Sequence, residues 1–150
     1  MALVDLISSE VVKIPLTSRN KPEVMRELVQ VLKDAGRIGN AESVLDAINK
    51  REELGSTGLE LGIAVPHAKS EAVNNLTLAI GISPEGIDFN ALDGKPSHLF
   101  FLMLAPPSQS GPHIEALAEI AKRSRSRAFC DALVHAQTPQ EVVDLFRGDI

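Results

Sequence analysis

The sequence predicts an α/β domain in which one β-sheet lies between layers of helix. Three observations lead there. Two segments with helical periodicity come first, strand-like segments occupy residues 61–104, and three more helical segments follow. The 150 residues fit a single domain over 1–150, long enough to bury roughly 68–70% of the unfolded surface.

Each element has its own signal. Asn20-Lys21-Pro22-Glu23 is a helix start, with Asn20 as N-cap and Glu23 reaching back. Val24, Met25, Leu28, Val31, Leu32 and Ala35 then form an apolar stripe that Gly36 ends. A second helix is expected from about Ala41 to Leu54, capped by Asn40 and stopped by Gly55. Its inward face holds Val44, Leu45 and Ile48, and Arg51 shares that face near the C-terminal end. Leu61–Val65 is expected as a strand ending at Pro66. Leu76, Leu78, Ile80 and Ile82 alternate with small residues at the period of a strand. Ile87–Phe89 is a further short strand, and Asp93-Gly94 a turn. The unbroken apolar run Leu99–Leu104 suits a central strand covered on both faces. Gly111-Pro112 then starts a helix with Ile114, Leu117, Ala118 and Ala121 as its stripe. Phe129 and Leu133 mark another helix, and Thr138-Pro139-Gln140-Glu141 caps a last one carrying Val142, Leu145 and Phe146.

Composition narrows the function. Fifteen Lys+Arg against twenty Asp+Glu give a net charge of −5, and there is no Trp or Tyr. The chain therefore lacks the basic field and the stacking platforms of a nucleic-acid binder. Asp5 and Glu10 stand where a signal peptide would be basic. The most apolar stretch, Leu99–Ala105, is too short to insert in a membrane. The lone Cys130 fits a reducing compartment, so a cytoplasmic protein is expected.

Chemistry concentrates around Gly62-Ile63-Ala64-Val65-Pro66-His67. A histidine presented where a strand ends offers a neutral imidazole lone pair, a competent nucleophile near neutral pH. His113 lies just inside a helix start, where free N–H groups and the macrodipole favour an anion. Arg51 could add a planar cationic fork. Taken singly, each also fits a plain role: a loop histidine, a capping residue, a solvated helix end. A zinc site would need three or four ligands in a spacing such as H-E-x-x-H, which is missing, so no metal is expected. His98 and His135 fit structural places, and Arg123, Arg125 and Arg127 a solvated connection. Ser56 lacks the G-x-S-x-G setting of a hydrolase nucleophile.

Arg51-Glu52-Glu53-Leu54-Gly55-Ser56-Thr57-Gly58 and the Gly62–His67 segment together resemble the phosphotransferase-system (PTS) enzyme IIA of fructose/mannitol/nitrogen-regulatory type. The resemblance continues through Ile87–Pro96, the apolar strand and His113, and so covers nearly the whole chain. It implies a mixed β-sheet sandwiched between helices, and a phosphotransferase without a cofactor. It also implies roles: His67 as the nucleophile phosphorylated on Nε2, His113 orienting or neutralising the phosphoryl group, and Arg51 stabilising charge. The implied partners are the phosphocarrier HPr as donor and a IIB component as acceptor in sugar uptake. The alternative within the family is a nitrogen-regulatory protein whose phosphorylation state controls its binding to other proteins. One branch carries a glutamate six residues before the active histidine; Leu61 stands there, so no carboxylate role is carried over.

Overall fold

The computed structural model describes residues 3–148; Met1 and Ala2, part of the stretch read against a signal peptide, lie outside the described residues. Strands β1 (Val12–Lys13), β2 (Ile63–Ala64), β3 (His67–Lys69), β4 (Thr77–Ile87) and β5 (Ser97–Ala105) form one sheet. Its order is β1-β4-β5-β2, with β3 also paired to β5. β4 and β5 run antiparallel, whereas β1 is parallel to β4, and β2 and β3 are parallel to β5. The sheet is mixed, as the resemblance implies. Helices α1 (Lys21–Asp34) and α2 (Ala41–Glu53) cover one face; α3 (Ser110–Arg123), α4 (Arg127–Val134) and α5 (Pro139–Arg147) cover the other.

Strand β5 shows why both faces must be covered. Leu99, Phe101 and Met103 enter the core beneath α3–α5, while Phe100, Leu102 and Leu104 enter the one beneath α1 and α2. The period of two therefore disappears from its sequence, because each alternate residue meets an apolar layer. In β4 the two faces differ: Leu78, Ile80 and Ile82 fill the first core, and small Ala79 and Gly81 admit helix α1 to the second. A Cβ at Gly81 would lie 2.8 Å from Leu28 Cδ2 and 2.9 Å from Leu16 Cδ2, so close packing requires glycine there.

The helix starts follow their caps. The side chains of Asn20, Asn40 and Thr138 accept from the backbone N–H of Glu23, Ser43 and Glu141, satisfying donors that the helix leaves free. Ser126 does the same for α4 through Phe129 N–H.

Several expectations need correction. The strand expected at Leu61–Val65 contracts to Ile63–Ala64, because Leu61 and Gly62 both adopt positive φ (64° and 79°) and turn the chain. Ile87 ends β4 opposite Ser97 instead of opening a separate strand, and Phe89 is fully buried beyond it. Helix α3 begins at Ser110, not Gly111-Pro112. Gln109 precedes it without capping, since its Oε1 accepts from Leu76 N–H instead. The buried face of α3 is His113, Ala116 and Ile120, turned by about one residue (~100°) from the expected stripe; Ile114 is 67% exposed. Arg123 is only partly solvated: Nε donates to Glu119, Nη1 donates to the Phe146 carbonyl, and the guanidinium covers the Phe146 ring. His98 and His135 have structural places, each ring Nδ1 meeting a backbone carbonyl, of Ser83 and Asp131 respectively. Cys130 is buried, and burial pushes its thiol up.

Candidate functional site

His67 opens β3 at the sheet margin and is half-buried; the strand expected to end at Pro66 resumes immediately after it. Pro66 restricts Val65 to extended backbone. That aims the Val65 carbonyl at the imidazole, and His67 Nδ1 meets it at 2.7 Å. A carbonyl only accepts, so Nδ1 carries the proton and Nε2 is left with the free lone pair. The backbone thus selects which nitrogen can act as nucleophile.

His113 projects from the first turn of α3 and is 5% exposed. Its ring stands edge-on to His67, centroids 5.5 Å apart at an interplanar angle of 80°. Its Nε2 is buried without a hydrogen-bond partner among the described residues. Burial holds this imidazole below the ordinary histidine value, and the charges of His67 and Lys69 act in the same direction. Both effects disfavour the imidazolium form of His113.

Arg51, in the last turn of α2, donates from Nη1 to the Gly55 carbonyl at 3.0 Å, past the end of its own helix. Arg51, His67 and His113 line one pocket of about 360 Å³ between α2 and α3. Lys69 and Ser110 line it as well. Neither was singled out in the sequence. Lys69 had no local signal: it shares the side of His67 only because residues 67–69 form β3, a strand too short to show a period. On its other side His67 borders an apolar pocket of about 490 Å³, flanked by the exposed side chains of Leu61 and Leu92.

The 51–58 segment also separates into roles. Arg51 enters the pocket, while the Glu52 carboxylate turns inward to pair with Lys21 Nζ at 2.7 Å. The Ser56 hydroxyl donates to the Phe89 carbonyl and accepts from Gly58 N–H. Gly58 lies against the 89–91 backbone, where a Cβ would come within 2.9 Å of Phe89 O and Ala91 Cα.

The domain is thus a mixed sheet between helical layers, with two imidazoles and a guanidinium around one pocket. The solved nitrogen regulatory protein IIA-Ntr of Neisseria meningitidis has the same fold, with a TM-score of 0.88 at 26% identity over 95% of this chain and 97% of that one. Residues 5–148 match the family described as "Phosphoenolpyruvate-dependent sugar phosphotransferase system, EIIA 2", and the chain belongs to that family. It is 34% identical over 142 residues to the PTS system fructose-specific EIIA component of Haloferax volcanii, covering 91% of this chain and 92% of that protein. It is 33% identical over 145 residues, 97% of its length, to the PTS system fructose-specific EIIABC component of Bacillus subtilis, of which it spans 23%.

Proposed function

We propose that His67 is the phosphoacceptor of this EIIA-family chain. In this reading Nε2 takes a phosphoryl group from the phosphohistidine of an HPr-type carrier and passes it to a IIB component for uptake of a fructose- or mannitol-class sugar. The carrying observation is the bond from His67 Nδ1–H to the Val65 carbonyl, which leaves Nε2 unprotonated. The Nε2 lone pair attacks phosphorus, and the P–N bond of the donor breaks as its imidazole leaves with the electron pair. His67 keeps its Nδ1 proton and acquires positive charge, which the Val65 carbonyl dipole stabilises.

Phosphoryl transfer asks mainly for positioning and electrostatic stabilisation of charge spread over the equatorial oxygens. Arg51 and Lys69 supply fixed positive charge on the pocket wall. His113 supplies a ring whose Nε2 has no other partner. Arrival of the phosphoryl dianion reverses the local field and favours protonation of His113, which then donates to a phosphoryl oxygen. This reading assigns the chain to the cytoplasm, where such carriers are charged.

Incubation with labelled phosphoenolpyruvate, enzyme I and HPr tests the assignment. The chain should take up label, and His67→Ala should take up none; labelling of that variant at the wild-type rate overturns the reading. The likeness to a nitrogen regulatory protein favours a second use of the same first step, in which the phosphorylated or free chain binds a regulatory partner. Adding candidate IIB proteins separates the two, since only the transport reading has the label leave His67 for a IIB protein.

A further inference from the structure

We propose that Glu52 and Thr57 are positioning residues for His67, holding its Nδ1-protonated form through a continuous chain of hydrogen bonds that begins at the Lys21–Glu52 ion pair. The inference rests on the reading of His67 as phosphoacceptor.

Each link is present. Lys21 Nζ pairs with Glu52 Oε2 at 2.7 Å, and the Glu52 side chain is only 8% exposed. The same carboxylate accepts from the Thr57 hydroxyl and from Thr57 N–H, the latter at 3.2 and 3.3 Å to its two oxygens. The Thr57 carbonyl accepts from Val65 N–H at 3.0 Å. The Val65 carbonyl accepts from His67 Nδ1–H at 2.7 Å. A carboxylate so far out of water is retained only if fully partnered. Here its partners are the first turn of α1 and the residue that begins the path to His67.

The path is stiff along its length. Residues 57–65 fold back on themselves, with Leu59 N–H donating to the Ile63 carbonyl and Gly58 bridging Ala64. Pro66 then fixes the extended backbone of Val65, and its own carbonyl accepts from Met103 N–H in the central strand. Displacing Thr57 therefore displaces the Val65 carbonyl, the group among the described residues that selects the His67 tautomer. The effect is geometric: Thr57 and Val65 each accept through one peptide unit and donate through another, so little polarisation is relayed along the chain.

Two variants test the proposal without leaving a buried charge alone. Lys21→Met/Glu52→Leu removes both ion-pair partners together, and Thr57→Val removes only the hydroxyl. Ring ¹⁵N shifts of His67 in the unphosphorylated protein should show one N–H and one bare nitrogen in the wild type. In both variants they should move towards averaged values. A displacement that cost even part of 1 Å would slow transfer about tenfold, so kcat with phospho-HPr should fall about tenfold while KM for HPr changes less than twofold. A mere loop anchor would lower the melting temperature and leave the shifts and kcat in place, and that result overturns the proposal. Should one variant fail to fold, the other decides. A wild-type chain that takes no label overturns the phosphoacceptor reading, while the ring shifts still decide the tautomer chain.

Discussion

Replacing His113 by leucine should make the protein more stable and a much poorer phosphoacceptor. An unsatisfied buried nitrogen costs about 1–3 kcal/mol, and His113 Nε2 is such an atom. Leucine has a similar volume and no polar atom, so the variant escapes that cost. It also forfeits the edge-on contact with the His67 ring, worth about 0.5–1.5 kcal/mol. The balance is about 1 kcal/mol in favour of the variant, or about 2–4 °C in melting temperature for a chain of this size. The sign has a pH dependence. His113 is held below the ordinary value of 6.5 by burial first, then by His67 and Lys69. Between its folded value and 6.5 the unfolded chain binds more protons, so wild-type stability falls as pH drops through that window. The variant has no such proton, and its advantage should widen from pH 7.5 to pH 5.5. Transfer should move the opposite way, since removing one preorganised donor to developing charge costs about 10²–10³ in rate. Thermal unfolding at several pH values and single-turnover labelling from phospho-HPr measure both. A variant that loses stability, or transfers phosphate at the wild-type rate, refutes the assignment of His113 as a donor held in reserve.

Other substitutions probe the scaffold. Leu61 sits at φ 64° with its side chain 55% exposed. Leu61→Gly relieves roughly 1–2 kcal/mol of left-handed strain against about 0.5–1 kcal/mol of added chain entropy, so the melting temperature should hold or rise slightly. Gly81→Ala brings a methyl to 2.8 Å from Leu28 Cδ2, and overpacking of about 1–3 kcal/mol should lower the urea midpoint. For Glu27, burial raises the carboxyl pKa, but hydrogen bonds from Ser18 and Thr17 outweigh it and lower the value below 4.5. Its contribution is therefore present above about pH 4.5 and lost as pH falls through the folded value. Glu27→Gln should flatten that part of the acid limb in urea titrations between pH 3 and 6.

The helices were legible because their caps are chemical. Asn20, Asn40 and Thr138 each have a short side-chain acceptor just ahead of an apolar stripe, and each does cap in the structure. The strands of two or three residues, β1, β2 and β3, were not legible at their true limits. So short a segment contains no period, and pairing with β4 or β5 alone defines it. The turn at Leu61-Gly62 was missed because leucine gives no sign of a left-handed backbone. In α3 the stripe was misplaced because the buried face contains His113, a polar residue that hydrophobic periodicity passes over. That miss bears on function, since the residue that broke the pattern is one that lines the pocket. The types Arg51, His67 and His113 could be singled out from local sequence, but their meeting could not. It depends on β3 lying parallel to β5 and beside α2, with the His113 ring of α3 edge-on to His67.

The break between β2 and β3 explains how a histidine can be both half-exposed and fixed. β2 pairs Ile63 with Leu99, and β3 pairs His67 with Met103, in one unshifted register. The edge strand is interrupted only at Val65-Pro66, where proline has no N–H to give the ladder. Phase is therefore kept across the gap. Ile63 and Val65 face the core beneath α3–α5, whereas Ala64 and Ala68 face the one beneath α1 and α2. His67 shares the phase of Ile63 and Val65 and so meets His113 on α3. Val65 N–H donates to the Thr57 carbonyl and not to β5, and on the same outer side of this edge strand the Val65 carbonyl accepts from the imidazole. A one-residue deletion at this gap would exchange the faces of His67 and Ala68, burying the imidazole against α1 and α2 and leaving a methyl beside His113.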